Sequence, residues 1–151
     1  MKLGKTRLVP VVIRLAVAAT VTESGYVHAK LYLHGYRVIA HIGPMFLLQA
    51  AVSFALAALL LFGGPLIVQL AAAGTALGAL GGFALSRTVG IWGFTERGFQ
   101  PHPDALLSVL SEITTLGLLA ALWIYVRRHR APGAGAKTGD AASTAVETET
   151  T

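Results

Sequence analysis

Two apolar runs parted by only two glycines constrain this chain most: PMFLLQAAVSFALAALLLF (44–62), Gly63-Gly64, then PLIVQLAAAGTALGALGGFAL (65–85). Each has the roughly 20 residues that carry an α-helix across a bilayer's hydrocarbon core. Neither alternates with the period of two that a barrel strand needs, so the segments read as helices, which satisfy their own backbone in lipid. Glycine ends a helix through its left-handed conformation, and proline suits the first position of the next. The pair therefore reads as a tight helical hairpin.

Two further runs, 8–27 and 106–126 (LLSVLSEITTLGLLAALWIYV), have the same character. The expected fold class is all-α, a four-transmembrane-helix bundle with helices at about 8–27, 44–62, 65–85 and 106–126 in one domain, 1–130. The last stretch, APGAGAKTGDAASTAVETETT (131–151), is small and polar without periodic apolar residues. It reads as a disordered cytoplasmic tail.

Composition points the same way. Only 13% of residues are charged and the mean hydropathy is +0.66, whereas a soluble domain carries about 25% charged residues. Too little charge is present to coat a water-soluble globule, so the first partner is a lipid bilayer. The absence of cysteine excludes a disulfide scaffold and a thiolate metal site. The net charge of +5 is scattered at segment ends, so no nucleic acid partner is expected. Abundant Ala, Gly, Leu and Val without asparagine fits a high-GC bacterial source.

Lysine and arginine near segment ends set orientation. Lys2, Lys5, Arg7, Arg127, Arg128, Arg130 and Lys137 flank one side, and Lys30, Arg37, Arg87 and Arg97 the other, seven against four. Both termini are therefore expected in the cytoplasm of a multi-pass plasma-membrane protein. Aromatics agree with interfacial belts: Trp123 and Tyr125 beside the inner arginines, and Tyr26, Tyr32, Tyr36, Trp92 and Phe94 at the outer edge.

The first segment is the weakest. Its nine Leu, Ile and Val residues contribute about −4 kcal/mol on the insertion scale, and Arg14 and Glu23 offset most of that. A signal peptide is the alternative reading, against which Arg14 interrupts the apolar region. Arg14 is expected to snorkel to the inner surface.

Several polar residues share one depth in the outer half. Ser108, Glu112 and Thr115 fall on one face of the fourth helix, Gln49 and Ser53 on one face of the second, and Thr20 and Glu23 on the first. Arg87 stands just past the third. Two readings follow: an outward-opening polar pocket for a proton, cation or small polar ligand, formed by Glu112, Glu23, Arg87, Gln49, Ser53 and Ser108, or a hydrogen-bond network that fixes packing. On the third helix Gly74, Gly78 and Gly82, with Ala71 and Gly81 nearby, form a small-xxx-small pattern for close helix approach within the chain or to another copy.

His28, His34 and His41 fall in the first outer loop and His102 in the second. Their spacing is not that of a zinc helix pair; interfacial anchoring is the plainer reading, and they are weak metal candidates. No cofactor is implied. The second outer loop, SRTVGIWGFTERGFQPHPD, is long for a bundle connection, and its glycines and paired charges suggest a folded loop. The chain has no phosphate-binding Gly-Lys motif, no G-x-S-x-G and no H-E-x-x-H.

The segments GYRVIAHIGPMFLLQA and LSRTVGIWGFTE, within residues 20–125, resemble stretches of small, uncharacterised four-helix membrane proteins of actinobacteria. The resemblance implies the architecture and carries no activity. The leading expectation is a non-catalytic membrane component that associates with itself or a membrane-protein partner through the glycine face. The alternative is a small transporter or proton-linked carrier using Glu112, Glu23 and Arg87.

Overall fold

The computed structural model describes residues 3–129, with side chains from Leu8 onward. The tail expectation for 131–151 lies outside those residues. The chain forms α1 (Leu3–Leu33), a 3-10 turn (Tyr36–Val38), α2 (Ile42–Leu61), α3 (Leu66–Arg87) and α4 (Asp104–His129). All four helices are long and apolar enough to cross a membrane. This is the expected all-α four-helix bundle, in up-down order. Among the described residues the only β feature is an isolated bridge between Ile91 and Phe94.

The boundaries of α2, α3 and α4 lie within a few residues of expectation, and α1 does not. It runs on to Leu33, six residues past the expected end. Apolarity fades after Val27, but the chain offers no helix stop until Gly35, which takes a φ of 147°. A stop residue such as glycine ends a helix, and polarity alone does not. His28 and Lys30 therefore belong to α1, not to the loop. Lys30 Nζ reaches Asp104 in the first turn of α4 at 2.8 Å.

Packing is closest between α1 and α2. A Cβ added to Gly25 would lie 3.0 Å from Ser53 Cβ and 3.4 Å from the Ala50 carbonyl. Gly43 is tighter still: its added Cβ would sit 2.8 Å from the Tyr36 carbonyl and 2.9 Å from Arg37 Cα. The start of α2 can therefore lie against the 3-10 turn only as glycine. Pro44 sits within the first turn of α2, where a missing N–H costs nothing.

The buried core joins Val17, Ala18 and Val21 of α1, Leu56, Ala57 and Leu60 of α2, Val68 and Ala72 of α3, and Leu119 of α4. Between helices in lipid no hydrophobic driving force separates these from the surrounding tails. Close dispersion contacts and interhelical hydrogen bonds must hold them.

At the end where the Gly63-Gly64 turn lies, the turn's open carbonyls are met from α1 and α3, and α4 supports the second of these contacts. Arg14 Nη1 donates to the Gly63 carbonyl at 3.2 Å. Gln69 Nε2 donates to the Gly64 carbonyl at 2.7 Å, and Trp123 Nε1 donates to Gln69 Oε1 at 2.8 Å. Arg14 thus lies near the negative end of α2, where a cation is favoured. Its Nε is buried without a hydrogen-bond partner.

Candidate functional site

The polar residues separate into two groups. The first is a ladder between α1 and α4. Lys30 meets Asp104, the Ser24 hydroxyl donates to the Glu112 carboxylate, and Thr20 meets Thr115 at 2.7 Å. The Thr20 hydroxyl spends its proton on the Val17 carbonyl at 3.0 Å, so Thr115 donates to Thr20. Residue numbers run in opposite directions in step, which is antiparallel register made visible. Ser24, Glu112 and Thr115 are 2%, 3% and 0% exposed. These bonds tie α1 to α4 through buried side chains.

Glu23 stands apart from Glu112. It is exposed, beside Thr20, Ser111 and Thr114 in a shallow depression between α1 and α4. Adjacent helical positions point about 100° apart, so Ser24 facing α4 turns Glu23 outward. Ser53 is buried where α2 meets Gly25. The six-residue pocket expected from the sequence is thus divided: Glu112, Glu23 and Ser53 lie in three other surroundings.

The second group, with Gln49, Arg87 and Ser108, lines a partly open cavity of about 320 Å³ that all four helices contribute to and the loops roof. Its walls are mostly apolar: Leu31, Met45, Phe46, Leu48, Val52, Ala79 and Phe83 among them. His28 contributes from α1, and Thr75, Gly78, Gly82 and Ser86 from α3.

Arg87 makes the roof. Its guanidinium pairs with Glu96 at 2.7 Å and donates to the Gly98 carbonyl at 3.0 Å, the Gln100 carbonyl at 2.6 Å and the Ser86 hydroxyl at 2.5 Å. It also lies 4.0 Å over the Phe83 ring. Four of its five N–H groups are spent on the chain itself. The loop it holds contains a tight turn at Ile91–Phe94, with Trp92 and Gly93 both at positive φ (48° and 80°). That is the signature of a type I′ turn. Tyr36 closes the other edge. Its hydroxyl donates to Glu96 and its ring stacks on Phe46 at 4.7 Å. Burial, and then the hydrogen bond to the Glu96 carboxylate, push the Tyr36 phenol well above its ordinary pKa.

The histidines are dispersed. His28 is buried beside Phe46, His34 is exposed and bonded to the Lys30 carbonyl, and the His41 ring lies 5.3 Å from Trp92. Among the described residues no three His, Asp or Glu side chains are grouped to hold a metal ion.

The glycines of α3 do not approach another helix of this chain. An added Cβ at Gly74, Gly78, Gly81 or Gly82 would meet no heavy atom within 4 Å. Gly74, Gly78 and Gly81 are exposed with Ala71, whereas Gly82 is half-buried beside the cavity. The outward small-residue stripe is therefore Ala71, Gly74, Gly78 and Gly81. Sequence reasoning missed Gly25, the glycine that does bring helices together. A single glycine beside a serine carries no repeat, and its partner Ser53 lies elsewhere in the sequence. His28 and Tyr36 were also missed as cavity residues, because the loop reading placed them at the water edge. No family model, curated protein or solved structure matches the chain.

Proposed function

We propose that this protein is a non-catalytic integral component of a bacterial plasma membrane that associates with a second copy of itself, or with another membrane protein, through the small-residue face of α3. The observation that carries this reading is the open space at Gly74, Gly78 and Gly81. Small residues at such spacing let backbones approach, and among the described residues nothing takes up that room. α3 is also the least covered helix: 17% of its apolar window is buried, against 28% for α1, 28% for α2 and 33% for α4. The charge asymmetry supports cytoplasmic termini. A carrier using Glu112, Glu23 and Arg87 together is less favoured, since the three lie in different surroundings.

The test is the native mass of the full chain in mild detergent, for wild type and Gly74→Leu. Gly74 lies outside the cavity, so its replacement affects the outward face alone. A wild-type mass above that of the 15.7 kDa chain, reduced by Gly74→Leu without loss of helicity, is expected. A monomeric wild type, with Gly74→Leu unchanged in mass and in the proteins it co-purifies with, refutes the reading. For orientation, Gly63→Cys should be shielded from an impermeant reagent in intact cells and Gln100→Cys labelled.

A further inference from the structure

The cavity under the loop has a chemistry that the association reading does not use. Consider first where an occupant comes from. The roof is shut by the Arg87 and Glu96 pair, Tyr36 and Phe94. Met45 and Leu48 of α2 and Gly78 of α3 line the cavity and are exposed, so it opens sideways between α2 and α3. Both helices are apolar enough to span a membrane, so the opening faces lipid at Met45 and Leu48 and shares only Gly78 with the association face. From Thr75 to Arg87 the α3 wall rises about 18 Å, close to the roughly 15 Å of one leaflet's hydrocarbon.

Next consider which polar atoms remain open. The Thr75 hydroxyl donates to Ala72, the Ser86 hydroxyl to Phe83, and the Tyr36 hydroxyl to Glu96. The Ser86 hydroxyl also accepts from Arg87, and Thr75 lies about 18 Å down the α3 wall from Arg87, so of these three the Tyr36 oxygen is the acceptor left open beneath the loop. His28 is 8% exposed, and its Nδ1 is bonded to the Ser24 carbonyl at 2.9 Å. A carbonyl only accepts, so Nδ1 carries a proton, and in the neutral imidazole Nε2 is left as an acceptor. Gln49 uses one amide N–H on the Thr75 carbonyl at 3.4 Å, leaving its Oε1 open. Arg87, the cation in the wall, is neutralised by Glu96 and spent on loop carbonyls. Beneath the loop, among the described residues, a phosphate head would find the Arg87 cation already paired, whereas a hydroxyl head would find the Tyr36 oxygen and His28 Nε2 as acceptors.

We propose that the cavity binds an uncharged lipid with a hydroxylated head and a single hydrocarbon chain. The head lies under the loop against His28, and the chain leaves between α2 and α3 past Gly78. The volume of about 320 Å³ is at the lower end of the roughly 300–1,000 Å³ of small-molecule sites, which suits a head and the first part of a chain.

The experiment uses the full chain in nanodiscs with monooleoylglycerol bearing a diazirine on its chain. Photolabelling mapped by peptide mass spectrometry should be saturable and confined to the peptides of α2 and α3 beside the cavity. Unlabelled monooleoylglycerol should compete, and oleoyl lysophosphatidic acid, the same chain with a phosphate, should compete about tenfold less. Gly82→Leu puts a side chain where no atom lies within 4 Å of the added Cβ, so the bundle keeps its fold while labelling falls by about tenfold or more. His28→Phe keeps a ring beside Phe46 and removes the acceptor, weakening labelling several-fold. Equal competition by the phosphate lipid assigns the site to anionic lipids and overturns the proposal. Labelling spread over all four helices without saturation overturns it too. The wild-type competition decides even if a variant fails to fold, and Gly74→Leu, the association variant, lies outside the cavity and should not lose labelling.

Discussion

Replacing Gly25 with alanine should force α1 and α2 apart, and its partner across the contact should be able to undo the damage. The added Cβ would meet Ser53 Cβ at 3.0 Å and Phe54 Cε1 at 3.3 Å. Carbon atoms rest at about 3.5–4.0 Å, so the helices must separate by roughly 0.5 Å. Overpacking of this kind costs about 1–3 kcal/mol. Alanine's better helix propensity returns about 1 kcal/mol, leaving a net loss of about 0–2 kcal/mol. Gly74→Ala makes the same change where nothing lies within 4 Å, and should be neutral or stabilising. Ser53→Gly removes the opposing Cβ. Alone it should cost about 1 kcal/mol through propensity, but combined with Gly25→Ala it should recover stability, with a coupling of about 1–2 kcal/mol. The assay is thermal unfolding in detergent followed by far-UV circular dichroism, where 1 kcal/mol corresponds to about 2–4 °C for a chain of this size. Additive effects in the cycle, or a Gly25→Ala protein that melts with Gly74→Ala, would refute the close approach.

Glu112→Gln keeps an acceptor for the Ser24 hydroxyl and should melt near wild type. Glu112→Leu removes that acceptor and should cost about 0.6–2 kcal/mol, the range of interhelical hydrogen bonds in bilayers; a Glu112→Leu protein as stable as wild type would show that the ladder does not hold α1 to α4. Tyr36 gives the loop an alkaline limit. Its phenol keeps its proton in the folded state at a pH where the unfolded chain, with an ordinary value near 10, loses it. That stabilisation is complete below about pH 10 and is lost as pH rises above it. Melting temperature measured from about pH 8 to 12 should therefore fall more steeply in wild type than in Tyr36→Phe, and parallel curves would contradict the burial of that hydroxyl.

The four helices were legible because each needs only its own run of apolar residues, and the Gly63-Gly64-Pro65 joint is punctuation that sequence displays directly. The end of α1 was not, since a polar stretch such as His28–Lys30 can continue a helix when nothing stops it. Polar residues could be assigned a depth by counting turns, but not an azimuth. A step of one position, from Glu23 to Ser24, moves a side chain from the exposed face to the α4 seam. The glycine repeat at Gly74, Gly78 and Gly82 advertised closeness that this chain leaves unfilled, while the solitary Gly25 supplies it. Arg87 was recognisable as out of place, yet its partners, Glu96 and the carbonyls of Gly98 and Gln100, are set by the path of a loop that no local pattern encodes.

The ladder between α1 and α4 also bears on how the protein is made. The first helix is marginal in lipid by itself, and its buried polar groups are answered by α4, which is made much later. Ser24 and Glu112 are 88 residues apart. At roughly 5–20 residues per second of synthesis, α1 waits about 4–18 s before its hydrogen-bonding partner exists. During that interval α2 can already lie against Gly25, so the opening hairpin acts as a holding complex for an unfinished helix. A nascent chain stopped before α4 should thus leave the Ser24 hydroxyl of α1 without its interhelical acceptor, and α4 completes the bonding of a helix made long before it.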